Sequence, residues 1–128
     1  MLASFADVIA HLATRYRLSG GGPSWVELWW KLTVDGERVV QHQVVHVDET
    51  GGALTVVVTS DVHCLDPLRV RWDGVLVAAG AIAFEGNRPV LRQPVIATAI
   101  EAPHLDRVME AVAVEAARLA RLVRVSAA

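Results

Sequence analysis

The residues best suited to chemistry cluster in the middle of the chain: His42, His46, Asp61, His63 and Cys64, with Glu27, Asp48 and Glu85 nearby. Histidine, cysteine and carboxylate side chains are the usual ligands of zinc. Spacing argues against a metal centre. His42 and His46 fall four apart in an alternating segment, and i, i+4 on a strand is about 13 Å, too far to share one ion at about 2.1 Å. There is no CxxC and no HExxH. Cys64 as a nucleophile would need an oriented base and an electropositive setting. His63 is its neighbour, but alternation sends the two side chains to opposite faces, so a small apolar thiol is the plainer reading. The four carboxylates form no evident acid–base pair. "SGGG" (residues 19–22) is not followed by the Lys-Ser/Thr of a phosphate loop and reads as a flexible connector. No catalytic group, cofactor or metal is expected.

The tryptophans carry more information. Trp25, Trp29 and Trp30 fall in "WVELWW". On a strand Trp30 points one way, and Trp25 and Trp29 the other. Strand "WVELWWKLTV" and strand "RVVQHQVVHV" flank Asp35-Gly36, the signal for a two-residue hairpin turn. That turn pairs Val34 with Glu37, and therefore Trp30 with Gln41, Trp29 with His42 and Trp25 with His46. A third strand, "ALTVVVTSDVH", follows the turn "DETGG". Apolar matching sets its register at a pair sum of 101, with Val45 opposite Val56 and His42 opposite Thr59. One sheet face then holds Val26, Leu28, Trp30, Leu32, Val34, Val39, Val45, Val47, Leu54, Val56, Val58 and Val62. The other holds Trp25, Glu27, Trp29, Lys31, His42, His46, Thr55 and Thr59, and Val40, Val44 and Val57 fall on it too. The first face must be buried. Trp25 and Trp29, laddered with His42 and His46, suit a platform for an extended partner segment, because aromatic residues bury large areas at low entropic cost. A terminus or helix covering the pair is the competing reading.

The remaining elements frame this sheet. Phe5, Val8, Ile9, Leu12 and Tyr16 recur at helical spacing, and Ser4 with Asp7 resembles a capping box. Residues 66–79, "DPLRVRWDGVLVAA", read as a helix capped by Asp66 with Pro67 at its first position, or as a hairpin around Asp73-Gly74. Residues 80–96 read as two strands around "EGNRP". From Pro103 onward, Leu105, Val108, Met109, Val112, Ala116, Leu119 and Val123 form one helical stripe. Arg118, Arg121 and Arg124 fall near its end, where they complement the helix dipole.

With 128 residues and 53% hydrophobic content, the chain is one domain with a real core. A net charge of −2 gives no electrostatic case for nucleic acid or an acidic membrane. One cysteine excludes an internal disulfide and suits a reducing compartment. The N-terminus lacks the layout of a secretory signal, and the longest apolar run, Val75 to Phe84, is too short to span a bilayer. A soluble, cytoplasmic protein is expected.

The order helix, three strands, short middle helix, two strands, helix resembles the type III secretion chaperone fold of the Tir-chaperone (CesT) and YbjN-like families. "LDPLRVRWDGVLVAAGAIAFEGNRPVLRQPV" resembles their middle helix, glycine and strand–turn–strand ending in "VLR". "HLDRVMEAVAVEAARLARLVR" resembles their closing helix. The resemblance favours the helix for 66–79. It implies a chaperone-like or adaptor homodimer that binds a peptide segment of a partner protein, with Leu68, Trp72, Val75 and Leu76 of the middle helix at the dimer interface. The combined expectation is an α+β domain, a three-stranded antiparallel meander plus a hairpin with three helices. Two rivals remain open: a small-molecule binder or enzyme with a pocket between sheet and helices near Gln41, Gln43 and Ser60, and a structural or immunity subunit of a larger assembly.

Overall fold

The computed structural model describes residues 2–49 and 53–126, with side chains to residue 123. Its elements are α1 (Phe5–Arg15), β1 (Leu18–Gly21), β2 (Trp25–Val34), β3 (Glu37–Asp48), β4 (Thr55–Asp61), β5 (Ala81–Glu85), β6 (Arg88–Ile96) and α2 (Ala102–Ser126). All strand pairs are antiparallel, in the order β1-β2-β3-β4-β6-β5. The α+β class is as read from the sequence, but among the described residues the sheet has six strands rather than five, and there are two α-helices rather than three.

The first hairpin is the one expected. Asp35 and Gly36 both have positive φ, 52° and 79°, as a primed two-residue turn requires. It sets Val34 against Glu37, Trp30 against Gln41, Trp29 against His42 and Trp25 against His46. The β3–β4 register differs from expectation by two residues: Val45 meets Val58, and Val47 meets Val56. A shift of two leaves every side chain on its face, so apolar matching alone could not separate the registers. Most of the turn "DETGG" lies outside the described residues.

The sixth strand comes from the glycine-rich segment. "LSGG" pairs with the free edge of β2 through Leu18–Leu28, Gly20–Glu27 and Gly21–Val26, with an irregularity between Leu18 and Gly20. Glycine has little strand propensity, but here it answers a packing demand. A Cβ on Gly22 would collide with the Trp25 indole, so this segment is a seat for Trp25 rather than a slack connector.

Residues 66–79 are not a helix. Two short 3₁₀ turns, Pro67–Arg69 and Trp72–Gly74, sit in an otherwise irregular strap. In an α-helix the Pro67 carbonyl would accept from the N–H of Arg71. Here it accepts from the Val70 N–H at 3.4 Å and from Trp72 Nε1 at 2.9 Å. Val70, Trp72, Val75 and Val77 pack against the core, and Trp72 meets Phe84 edge-on at 5.7 Å. α2 pins the far end. The Ala78 N–H donates to Glu115 Oε2, and Arg118 Nη2 donates to the Leu76 carbonyl at 3.3 Å.

β5 starts after Gly80, whose φ of 74° leaves any Cβ 2.8 Å from the Arg92 carbonyl oxygen, so only glycine fits without strain. The second hairpin pairs Glu85 with Arg88, and Gly86 takes a positive φ of 66°.

The core lies between one sheet face and the two helices. Val26, Leu28, Val45, Val47, Val56, Val58, Val62 and Leu91 bury against Val8 and Leu12 of α1 and Leu105, Met109, Val112, Ala116, Leu119 and Val123 of α2. The α1 cap is as read: Ser4 Oγ accepts from the Asp7 N–H at 3.2 Å, and Asp7 reaches back to Ala3 N. Asp106 of α2 clasps α1 by accepting from Tyr16 Oη at 2.8 Å and pairing with His11 Nε2 at 2.9 Å and Arg15 Nε at 3.2 Å. Burial, then the bond to Asp106, pushes the Tyr16 hydroxyl up to about 12. Two arginines of α2 also form ion pairs: Arg118 binds Glu115, and Arg121 binds Glu37. The Arg124 side chain lies outside the described residues.

Candidate functional site on the outer sheet face

Among the described residues both helices pack on the inner face of the sheet, and pleating sends Trp25, Trp29, His42 and His46 to the outer face. Trp29 is 54% exposed and its neighbour Val40 is 64% exposed. The Trp29 ring leans over His42 with centroids 4.8 Å apart. His46 is exposed, and its Nε2 lies 3.4 Å from Ser24 Oγ. Trp25 is half-buried against Gly22. The four residues therefore share one face, as expected, but Trp25 is part seat and part surface, whereas Trp29 stands free.

His42 has no spare nitrogen. Its Nε2 lies 3.1 Å from Glu27 Oε2, and its Nδ1 lies 3.1 Å from Asp61 Oδ2. The bonds from His42 and Ser19 hold the Glu27 carboxyl below its ordinary range. Asp61 continues to Arg88 at 3.5 Å, and Arg88 binds Glu85 at 2.7 Å. The chain Ser19–Glu27–His42–Asp61–Arg88–Glu85 is a polar staple across all six strands of the described sheet. It holds the His42 imidazole between two carboxylates beneath the Trp29 indole. Sequence reading missed the parts played by Glu27 and Asp61. The signal was present in the register: a pair sum of 103 instead of 101 places Asp61, not Thr59, beside His42.

Among the described residues, no group of three or more His, Cys, Asp or Glu side chains is arranged to hold a metal ion. His63 is exposed, while Cys64 is half-buried and packs against the core.

Beside the aromatic ladder runs a groove of about 300 Å³, lined by His42, Val44 and His46 on β3, Val57, Thr59 and Asp61 on β4, Glu85 at the end of β5, and Arg88 and Arg92 on β6. Short side chains floor it along β4, and taller ones wall it on both sides.

The inner polar residues are spent on the fold. Gln43 accepts from Trp30 Nε1 at 3.0 Å and donates to the Met109 carbonyl at 2.9 Å. Gln41 donates to Ser60 Oγ at 2.8 Å, and Ser60 donates to the His42 carbonyl. Trp30 also meets Tyr16 at 5.3 Å.

The four residues expected at a dimer interface divide. Trp72 and Val75 turn inward against the core, whereas Leu68 and Leu76 are 85% and 87% exposed. Leu65, at 90%, joins them. No helix among the described residues is long and apolar enough to cross a membrane. Comparison with protein-family models, with curated proteins and with solved structures returns no match.

Proposed function

We propose that this protein is a non-enzymatic, chaperone-like or adaptor module, homodimeric, that binds a peptide segment of a partner protein on the outer face of its sheet. Trp29 carries this reading. A tryptophan left more than half exposed, propped on an imidazole that is itself clamped by two carboxylates, is a rigid aromatic anchor, the kind of residue that dominates interface energetics. The rigidity matters, because a pre-ordered contact loses little entropy on binding.

The rival reading, a catalytic or small-molecule pocket between sheet and helices, finds less support. Gln41, Gln43 and Ser60 would have to line it, and each is bonded within the fold. The homodimer rests on the strap, where Leu65, Leu68 and Leu76 stand out together with Leu122 of α2.

Panning a random-peptide library on the immobilised protein tests the binding reading. Enrichment on the wild type that is lost on a folded Trp29→Ser variant is the expected outcome. Equal enrichment on the variant removes Trp29 from the argument, and no enrichment on either protein removes the reading.

A further inference from the structure

We infer that the segment recognised on the outer face is an extended peptide in which apolar and acidic residues alternate, and that it lies along β4 with Arg92 reading its acidic side. This rests on the peptide-binding reading above and specifies the chemistry of the partner.

The groove has the dimensions of one strand. Its walls stand on β3 and β6, either side of β4, and two inter-strand spacings amount to about 9.5 Å. The outer face of β4 from Thr55 to Asp61 is about 20 Å long at about 3.3 Å per residue, enough for six or seven extended residues. The floor is low: Val57 and Thr59, with Val44 alongside. An extended chain laid flat in such a trough sends successive side chains to opposite walls.

Those walls differ in chemistry. On one side stand Val44, His46 and the Trp29–His42 stack, with Trp25 behind His46. On the other stand Arg92 and the Arg88–Glu85 pair, with Pro94 next along β6. Trp25, His46, Val57 and Pro94 form one row across the sheet, and Glu27, Val44, Thr59 and Arg92 the next.

The charges on this face are unequally committed. Glu27 and Asp61 are held by His42, and Glu85 by Arg88. Asp48, at the end of β3, is also engaged. The cations Lys31, Arg38 and Arg92 are exposed and have no ion-pair partner among the described residues. Acidic and basic side chains balance on this face, but of the charges lining the groove Asp61, Glu85 and Arg88 are already paired, and Arg92 has no ion-pair partner among the described residues. Carboxylates are its complement, and the sequence register of the ligand follows from the trough: apolar toward the ladder, acidic toward Arg92.

Three fluorescein-labelled eight-residue peptides test this by polarisation: alternating Leu and Glu, alternating Leu and Lys, and Leu and Glu in two blocks. The Leu/Glu alternation should bind about tenfold or more tighter than either control, with a preference over Leu/Lys that shrinks as salt rises. Arg92→Glu should invert that preference, and Trp29→Ser should abolish binding of all three. Equal binding of Leu/Glu and Leu/Lys, or an unchanged preference in Arg92→Glu, overturns the inference. Equal binding of the alternating and block peptides overturns the trough geometry. If none of the three binds, the inference falls while the parent reading is judged separately: library sequences that depend on Trp29 but lack acidic alternation would leave peptide binding standing without it.

Discussion

Trp29 and His42 face each other across β2 and β3 with their rings 4.8 Å apart and tilted by 52°, and the imidazole is fixed from both sides by Glu27 and Asp61. One residue later the chain does the reverse. Trp30 turns inward, stacks near Tyr16 and spends its indole N–H on the buried Gln43. Adjacent tryptophans should therefore answer mutation in opposite ways. Truncation of Trp30 to Ala removes core packing, typically about 3–5 kcal/mol, and leaves the Gln43 carbonyl oxygen without its donor. Trp29→Ser should cost within about 0.5 kcal/mol, as for ordinary surface changes, while eliminating peptide binding. Denaturant melts beside binding titrations check both. A Trp29→Ser protein as unstable as Trp30→Ala would make Trp29 a structural residue.

Trp25 should behave as an intermediate, because Gly22 sits against its indole. Gly22→Ala places a methyl group where Trp25 Nε1 and Cε2 now lie. The indole, at the end of a rotatable side chain, must swing outward. The expected result is a red-shifted, more quenchable tryptophan emission with a loss of stability of about 1 kcal/mol, a common size for a point substitution. The same substitution in a Trp25→Ser background should leave the emission unchanged. An emission identical to wild type in the single variant would show that Gly22 is only a connector.

The alternating segments were legible because a half-buried strand has a period of two and a primed turn has its own residue types. The inner-face apolar residues named above, the β2–β3 register and both hairpins follow from these signals. Three features were not legible, each for a physical reason. The β3–β4 register is degenerate by two residues in a run as uniform as "LTVVVTSDV", and that degeneracy hid the Asp61–His42 contact. "LSGG" carries no strand propensity; the open edge of β2 and the bulk of Trp25 recruit it. The strap has good helix signals in Asp66 and Pro67, but the Trp72 indole takes the Pro67 carbonyl and Glu115 takes the Ala78 N–H. These are contacts between residues five and thirty-seven apart, which local propensity does not contain. That Trp25, Trp29, His42 and His46 share one face was visible in the sequence, and the polar staple beneath them was not.

The exposed leucines of the strap predict self-association. Leu65, Leu68 and Leu76 are among the most exposed large apolar residues described, and Leu122 of α2 shares a groove of about 660 Å³ with Leu76. A dimer with two-fold symmetry is the commonest closed assembly. Light scattering at micromolar concentration should report about twice the 13.8 kDa chain mass, and Leu68→Ser/Leu76→Ser should return the monomer mass without loss of folded structure. A wild-type protein that scatters as a monomer removes the interface from Leu68 and Leu76. It leaves Trp72 and Val75, which already pack inward, with a purely structural role.

Glu115 makes the fixing of the strap depend on acid. Its carboxylate is buried, at 4% exposure, and binds both Arg118 and the Ala78 N–H. The Arg118 bond, seconded by the Ala78 N–H, holds it below its ordinary value. As pH falls below the ordinary glutamate value of about 4.3, the unfolded chain takes up this proton before the folded one does. Folding stability then declines through the interval down to the lowered native value, and above that interval the contribution is complete. Glu115→Gln should lose about 1–3 kcal/mol at neutral pH, as for a buried charged hydrogen bond, and its stability should converge on wild type in acid. Exchange of the amide hydrogen of Ala78 should accelerate in the variant at neutral pH, while amides at the centre of β4 keep their protection relative to global unfolding. Parallel pH profiles for variant and wild type would mean that Glu115 does not hold its proton-free form more tightly in the folded chain. An unchanged Ala78 amide would mean that the strap is fixed without Glu115, by the packing of Val75 and Val77 and the Arg118 bond to the Leu76 carbonyl.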